Sequence, residues 1–123
     1  MTKTAALHKF ASSFGIAAYQ EHAVPCNANF PYLTYSVITD SFSENETSLT
    51  FSLWYRATSW AEINAKTEEI SRVIGYGGLV VDCDGGKMWI KRGQPFASSM
   101  GDNSDDLIKR KLINVSVEYL TFD

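Results

Sequence analysis

The stretch 47–74, TSLTFSLWYRATSWAEINAKTEEISRVI, changes its hydrophobic period halfway, and that change decides the fold. In its first half Leu49, Phe51, Leu53 and Tyr55 alternate with Ser48, Thr50, Ser52 and Trp54. A period of two is that of a strand with one face buried and the other wet or covered by something else. In its second half Trp60, Ile63, Thr67, Ile70 and Ile74 recur at helical spacing, with Glu62, Lys66, Glu69 and Arg72 outside the stripe. Ser59 and Glu62 stand where a capping box would open this helix, and Gly75, Gly77 and Gly78 stand where it should stop.

Upstream, Leu33, Tyr35 and Val37 alternate with Thr34 and Ser36, which predicts a strand. The polar connection 40–46 is short enough to pair the two strands as a hairpin. Before them, Leu7, Phe10, Ala11 and Phe14 share one face of a helix over roughly 4–14, with Gly15 placed for a left-handed cap. Residues 16–19 read as a short strand, and Pro25, Cys26, Asn27 and Asn29 as an irregular loop. Downstream, 79–83 and 87–91 flank Asp84-Gly85-Gly86, a tight hairpin signal. A polar stretch over 93–106 follows, and Ile113, Val115, Val117 and Tyr119 then alternate in a closing strand. The expected fold is α+β: an antiparallel sheet of about four to five strands, with an N-terminal helix and one amphipathic helix packed on it. One domain is expected over 1–123.

The composition, 45% hydrophobic and 20% charged, is that of a folded chain rather than a disordered one. A net charge of -3 does not point to a general nucleic-acid or membrane-surface binder, which needs a cationic excess. Cys26 and Cys83 are too few for a disulfide framework and are read as reduced, partly buried thiols. The first fifteen residues lack the apolar core of a secretory signal, and no run approaches the ~20 apolar residues of a membrane span. Folding in a reducing cytoplasm is therefore expected.

The chemistry-bearing residues yield no catalytic constellation. His8 and His22 are the only histidines, and both read as surface or boundary residues. Asp82, Asp84, Gly85 and Gly86 faintly resemble a calcium loop, but Lys87, Met88, Trp89 and Ile90 supply none of the further oxygen ligands it needs. Gly75-Tyr76-Gly77-Gly78 follows a helix, whereas phosphate cradles precede one. Lys87, Trp89, Lys91 and Arg92, with Phe96 beyond, interleave cations and aromatics; a solvated strand face or a protein contact explains them better than base stacking. Two features are less bland. Trp54 lies on the outward face of its strand, and the 93–106 segment, with Pro95, Phe96 and Met100, has the composition of an arm that orders against a neighbour and equally that of a flexible surface loop.

The run FPYLTYSVITDSF (30–42), the 47–74 stretch, GLVVDCDGGKMWIKRG (78–93) and the closing KLINVSVEYLTFD (111–123) together resemble the tail-terminator and minor-tail families of long-tailed bacteriophages. The resemblance covers about 30–122 and lies in element order and texture. It is the succession of an N-terminal helix, a Pro-Tyr-led strand, a strand ending in an "LWYR"-type stretch, an amphipathic helix, a hairpin, a variable loop and a terminal strand. The N-terminal third departs most. The resemblance implies a virion structural protein at the tail–neck junction, made in the host cytoplasm, with no active site and no cofactor. It would cap the tail tube protein, offer a joining surface to a head-side connector, and assemble as a homo-oligomeric ring of about six copies around a channel that DNA crosses without specific binding. A slightly acidic chain suits such a channel. A ring needs two different patches per subunit. The candidates are the Trp54 face with Arg56 and the strand edge, and the hairpin near Trp89, Lys91 and Arg92 with Phe96 and Met100 of the 93–106 segment. The competing expectation is a monomeric binding module that takes a small ligand or a peptide along its sheet.

Overall fold

The computed structural model describes residues 1–43, 45–101 and 105–123. The chain folds as helix α1 (Lys3–Ala11), strands β1 (Ala17–Gln20), β2 (Tyr32–Tyr35) and β3 (Thr47–Arg56), helix α2 (Ala61–Ile74), and strands β4 (Leu79–Cys83), β5 (Gly86–Gly101) and β6 (Ile108–Thr121). The strands form one curled six-stranded sheet in the order β1-β2-β3-β6-β5-β4. The α+β class stands, but the sheet has six strands and is mixed, because β1 runs parallel to β2. Sequence periodicity could not supply that pairing, which is set by a non-local crossover.

Both helices pack on one face. The inward rows of Leu33 and Tyr35, of Leu49, Phe51, Leu53 and Tyr55, and of Ile113, Val115, Val117 and Tyr119 are all buried. Phe10 of α1 meets Phe51 at 5.9 Å between ring centroids. From α2, Ile63, Thr67, Ile70 and Ile74 complete the core, and the Thr67 hydroxyl donates to the Ile63 carbonyl at 2.8 Å. A buried hydroxyl satisfied this way costs little in a helix interior. α1 is capped by Thr2, whose side chain accepts from the Ala5 amide, and it tightens into a 3-10 turn ending at Gly15 with φ 80°.

Two local expectations are corrected. The Ser59–Glu62 capping box does not form. The Ser59 hydroxyl accepts from the Ala61 amide at 3.0 Å, one residue short of the capping-box register, and Trp60 occupies the N-cap without a side-chain bond. The 93–106 segment is not a free arm: through Gly101 it is strand, with Ala97–Gly101 paired to Lys109–Ile113, and 102–104 lie outside the described residues. Between Arg92 and Ala97 the ladder shifts, so that residues 93–96 loop out opposite Asn114, whose amide donates to the Pro95 carbonyl at 2.8 Å. Gly93 permits this approach, since a Cβ there would lie 2.8 Å from the Asn114 carbonyl oxygen. The expected Asp84-Gly85 hairpin is present, with Cys83 opposite Gly86 and Gly85 at φ 84°.

Candidate functional site

Among the described residues the second face of the sheet carries no helix, and its side chains cluster at two ends. At the first end, Tyr32 of β2 lies opposite Trp54 of β3, and Trp54 lies opposite Arg110 of β6. The Tyr32 and Trp54 rings stack at 6.2 Å with an interplanar angle of 20°. Tyr19 of β1 meets Tyr32 edge-on at 5.8 Å, and Phe30 lies 5.3 Å from it. The Arg110 guanidinium sits 4.7 Å above the Trp54 ring and donates to the Ser52 hydroxyl at 3.1 Å. Trp54 donates its indole N–H to Thr34 at 3.0 Å. Burial, and then the neighbouring Tyr19, push the Tyr32 phenol above its ordinary value, so Tyr32 stays neutral. Met100 lies opposite Arg110 on the other side, and Arg56 closes the row with an ion pair to Asp105 at 3.3 Å.

At the second end, Trp89 and Lys91 of β5 stand on the same face. The Lys91 ammonium lies 4.3 Å from the Trp89 ring centre and bridges two carboxylates, Glu46 and, at 3.4 Å, Glu118. The Ser116 hydroxyl donates to the second Glu46 oxygen at 2.5 Å. Hydrogen bonds from Lys91 and Ser116 hold the Glu46 carboxyl below its usual range, and the bond to Glu46 raises Lys91. The Trp89 indole N–H donates to the Gly77 carbonyl at 2.9 Å, which ties the glycine loop after α2 to this face. Arg110 and Glu118, one from each cluster, are eight residues apart on β6, roughly 27 Å at strand rise.

The two proposed patches thus share one face and are separated along the strands rather than placed on opposite faces. Trp54 and Met100 are brought together around Arg110, with Arg56 beside them, and Trp89 and Lys91 are brought together at the far end. Arg92 and Phe96 leave the stripe. Arg92, one residue out of phase with Trp89 and Lys91, turns to the helix side and donates to the Ser71 hydroxyl at 3.0 Å. Phe96 is half-buried against the core. Sequence reasoning missed Tyr19, Tyr32, Phe30 and Arg110. The parity of Tyr32 with respect to Leu33 and Tyr35 was available as a signal, whereas Arg110 needed the start of β6 to be known.

The polar candidates resolve locally. His8 does stand beside a serine: Ser12 Oγ lies 3.2 Å from Nε2, and Tyr35 Oη lies 2.7 Å from Nδ1. The i,i+4 spacing at the end of α1 brings His8 and Ser12 together. Ser12 caps the C-terminus of α1, where free carbonyls rather than amides gather, which is the wrong polarity for holding a developing oxyanion. Tyr35 is raised by burial and remains neutral. Cys83 is half-buried and burial raises its thiol, but Cys26 is exposed rather than partly buried; both are free. Among the described residues no group of three or more His, Cys, Asp or Glu side chains gathers as a metal site, and no helix is long and apolar enough to cross a membrane.

One groove of about 500 Å³ runs between α1 and β4, lined by Ala6, Lys9, Phe10, Leu79, Val81 and Asp82 among others, and opens to solvent. A second notch, of about 400 Å³, lies at the end of β6 between Phe42 and Phe122. Neither a protein-family model nor a curated protein matches the chain.

Proposed function

We propose that this protein is a structural ring subunit of the tail-terminator kind, closing a phage tail tube and presenting the surface that joins it to the head. The observation that supports this reading is the division of the sheet. One face is sealed by both helices, and the other displays two chemically different aromatic–cation clusters about a strand's length apart. Patches that differ and do not overlap suit a head-to-tail contact, in which one patch of a subunit meets another patch of the next. Aromatic and arginine side chains with partly covered rings are the residue types that anchor such contacts. On this reading the partners are further copies of the chain, the tube protein below and a connector above, and DNA passes through the channel unbound.

Light scattering and negative-stain electron microscopy across a concentration series test it, with purified tail tubes added in parallel. The expected result is rings, or decoration of tube ends. A chain that is monomeric at every concentration and ignores tubes sinks the reading. The groove between α1 and β4 favours a second reading, a monomeric module that binds an extended peptide beside its edge strand. Saturable peptide binding by a strictly monomeric chain would establish that alternative.

A further inference from the structure

The two outermost strands of the sheet are β1 and β4, and they point the same way. β1 is parallel to β2, and four antiparallel steps lead from β2 through β3, β6 and β5 to β4. Among the described residues each leaves a backbone edge without a strand partner. On β4, the Asp84 amide turns away from β5 and donates to the Met1 carbonyl at 2.7 Å. Backbone groups along a strand alternate in direction, so Val80 and Asp82 also aim outward. On β1, the Glu21 amide donates to the Tyr35 carbonyl at 2.9 Å, so Ala17, Tyr19 and Glu21 bond to β2 while Ala18 and Gln20 aim outward. The Gln20 carbonyl is already taken by the Ala23 amide at 3.0 Å.

The side chains decide which ladder these edges can make. Val80 and Asp82 stand on the bare face, opposite Trp89 and Lys87, whereas Ala18 stands on the helix face, opposite Leu33. An antiparallel ladder places bonding residues directly opposite each other with side chains on one face. Two copies that keep their helices on the same side cannot join β4 to β1 in that way. A parallel ladder seats each bonding residue beside one whose groups point away, and the free groups then match. Val80 lies beside Ala17 of the next copy, and Asp82 lies beside its Tyr19. The Val80 and Asp82 amides donate to the carbonyls of Ile16 and Ala18, and the amides of Ala18 and Gln20 donate back to Val80 and Asp82. A shift of two residues toward the end of β1 would require the Gln20 carbonyl that Ala23 already occupies. On the helix face, the half-buried Leu79 and Val81 come beside the half-buried Ile16 and Ala18. The groove between α1 and β4 opens to solvent beside this strand.

We infer that copies of this chain join by parallel addition of the β1 edge of one to the β4 edge of the next, in the register Ala17–Gln20 beside 80–83, making one sheet continuous across the assembly. This deepens the ring reading and rests on it: strands that keep one direction are what repeated rotation about an axis along them requires.

Proline tests it, since it removes an outward amide without touching the bonds to the neighbouring strand. Ala18→Pro and Val80→Pro are each expected to weaken self-association by about tenfold or more, with thermal unfolding of the monomer little changed. Mixed together, the two variants should form a one-to-one pair and nothing larger, because only the β4 edge of the first and the β1 edge of the second remain intact. A measurement independent of proline is oxidation of Gln20→Cys in a Cys26→Ser background, where native Cys83 should link neighbouring copies into a covalent ladder. Proline variants that assemble like the wild type, Ala18→Pro forming dimers by itself, or an assembled sample that yields no covalent ladder would overturn the inference and leave the ring reading standing. A wild-type chain that never assembles overturns both.

Discussion

The two faces of the sheet use similar residues for different ends. On the helix side, Phe51, Tyr35 and Phe10 are buried and their rings meet at tilted or edge-on angles inside a continuous core. On the bare side, Tyr32, Trp54 and Arg110 stack in a row across three strands with one flank open to water. The aromatic chemistry is common to both; what differs is whether another element supplies the second layer. Aromatic rings lacking that layer keep part of their apolar area in contact with water, and covering it is a free-energy gain still available to the molecule. The covered face therefore accounts for the stability of the folded chain, and the bare face is the one to which we assign the proposed association.

That contrast is most easily broken by truncating one ring on each face. Phe51→Ala opens a cavity beneath Phe10 and between Leu49 and Leu53, and is expected to cost about 3–5 kcal/mol in urea or thermal unfolding. Trp54→Ala removes a half-exposed ring and leaves the Thr34 hydroxyl without its partner, for about 1–2 kcal/mol. The second substitution should weaken assembly strongly while the first spares it in whatever fraction remains folded. Equal losses of stability at the two positions would mean that the bare face is part of the monomer's core.

The covered face could be read from residue order because burial imposes a period. Leu49, Phe51, Leu53 and Tyr55, Ile113 to Tyr119, and Ile63 to Ile74 all lie where their spacing placed them. The bare face could not be read so far, because stacking partners come from strands distant in sequence. Trp54 was identified as outward-facing, but Arg110, which covers it, lies 56 residues away in a stretch whose strand character emerges only from pairing with β3. The same cause explains 93–101. Ser98, Ser99 and Gly101 have low strand propensity, but pairing with β6 overrides it, while 93–96 loop out of the ladder. The parallel β1–β2 contact is equally non-local, and β1 is only four residues long.

Titration sharpens the comparison on the covered side. Tyr119 is buried under α1, donates to the Ile38 carbonyl at 2.5 Å, and has its phenol pushed up to about 12, chiefly by burial and then by Asp40. A tyrosine in the unfolded chain ionises near pH 10. The folded value is higher, so this contribution is complete below about pH 10 and is lost as pH rises toward 12, on the order of 2 kcal/mol. Unfolding measured from pH 9 to 12 should show that decline. In Tyr119→Phe the decline should flatten, with a loss of about 1 kcal/mol at neutral pH for the missing hydrogen bond. A wild-type curve as flat as the variant's would show that the phenol is not held neutral by the fold.

The smallest effect belongs to the bare side. Glu46 fastens the segment before β3 to the sheet through Lys91 and Ser116, but its carboxylate is about half exposed, so the pair is screened by solvent. The folded Glu46 titrates below its unfolded value, so its contribution is present above about pH 4.5 and is lost as pH falls through the lowered folded value. Lys91 titrates above its unfolded value, so its share is present below about pH 10.5 and is lost above it. Between those limits Glu46→Gln should cost under about 1 kcal/mol, with the difference fading as pH falls through the lowered folded value and shrinking in 1 M salt. A cost of several kcal/mol that persists in salt would place Glu46 among the groups that hold the monomer together, and the bare face would then be less free for association than its exposure implies.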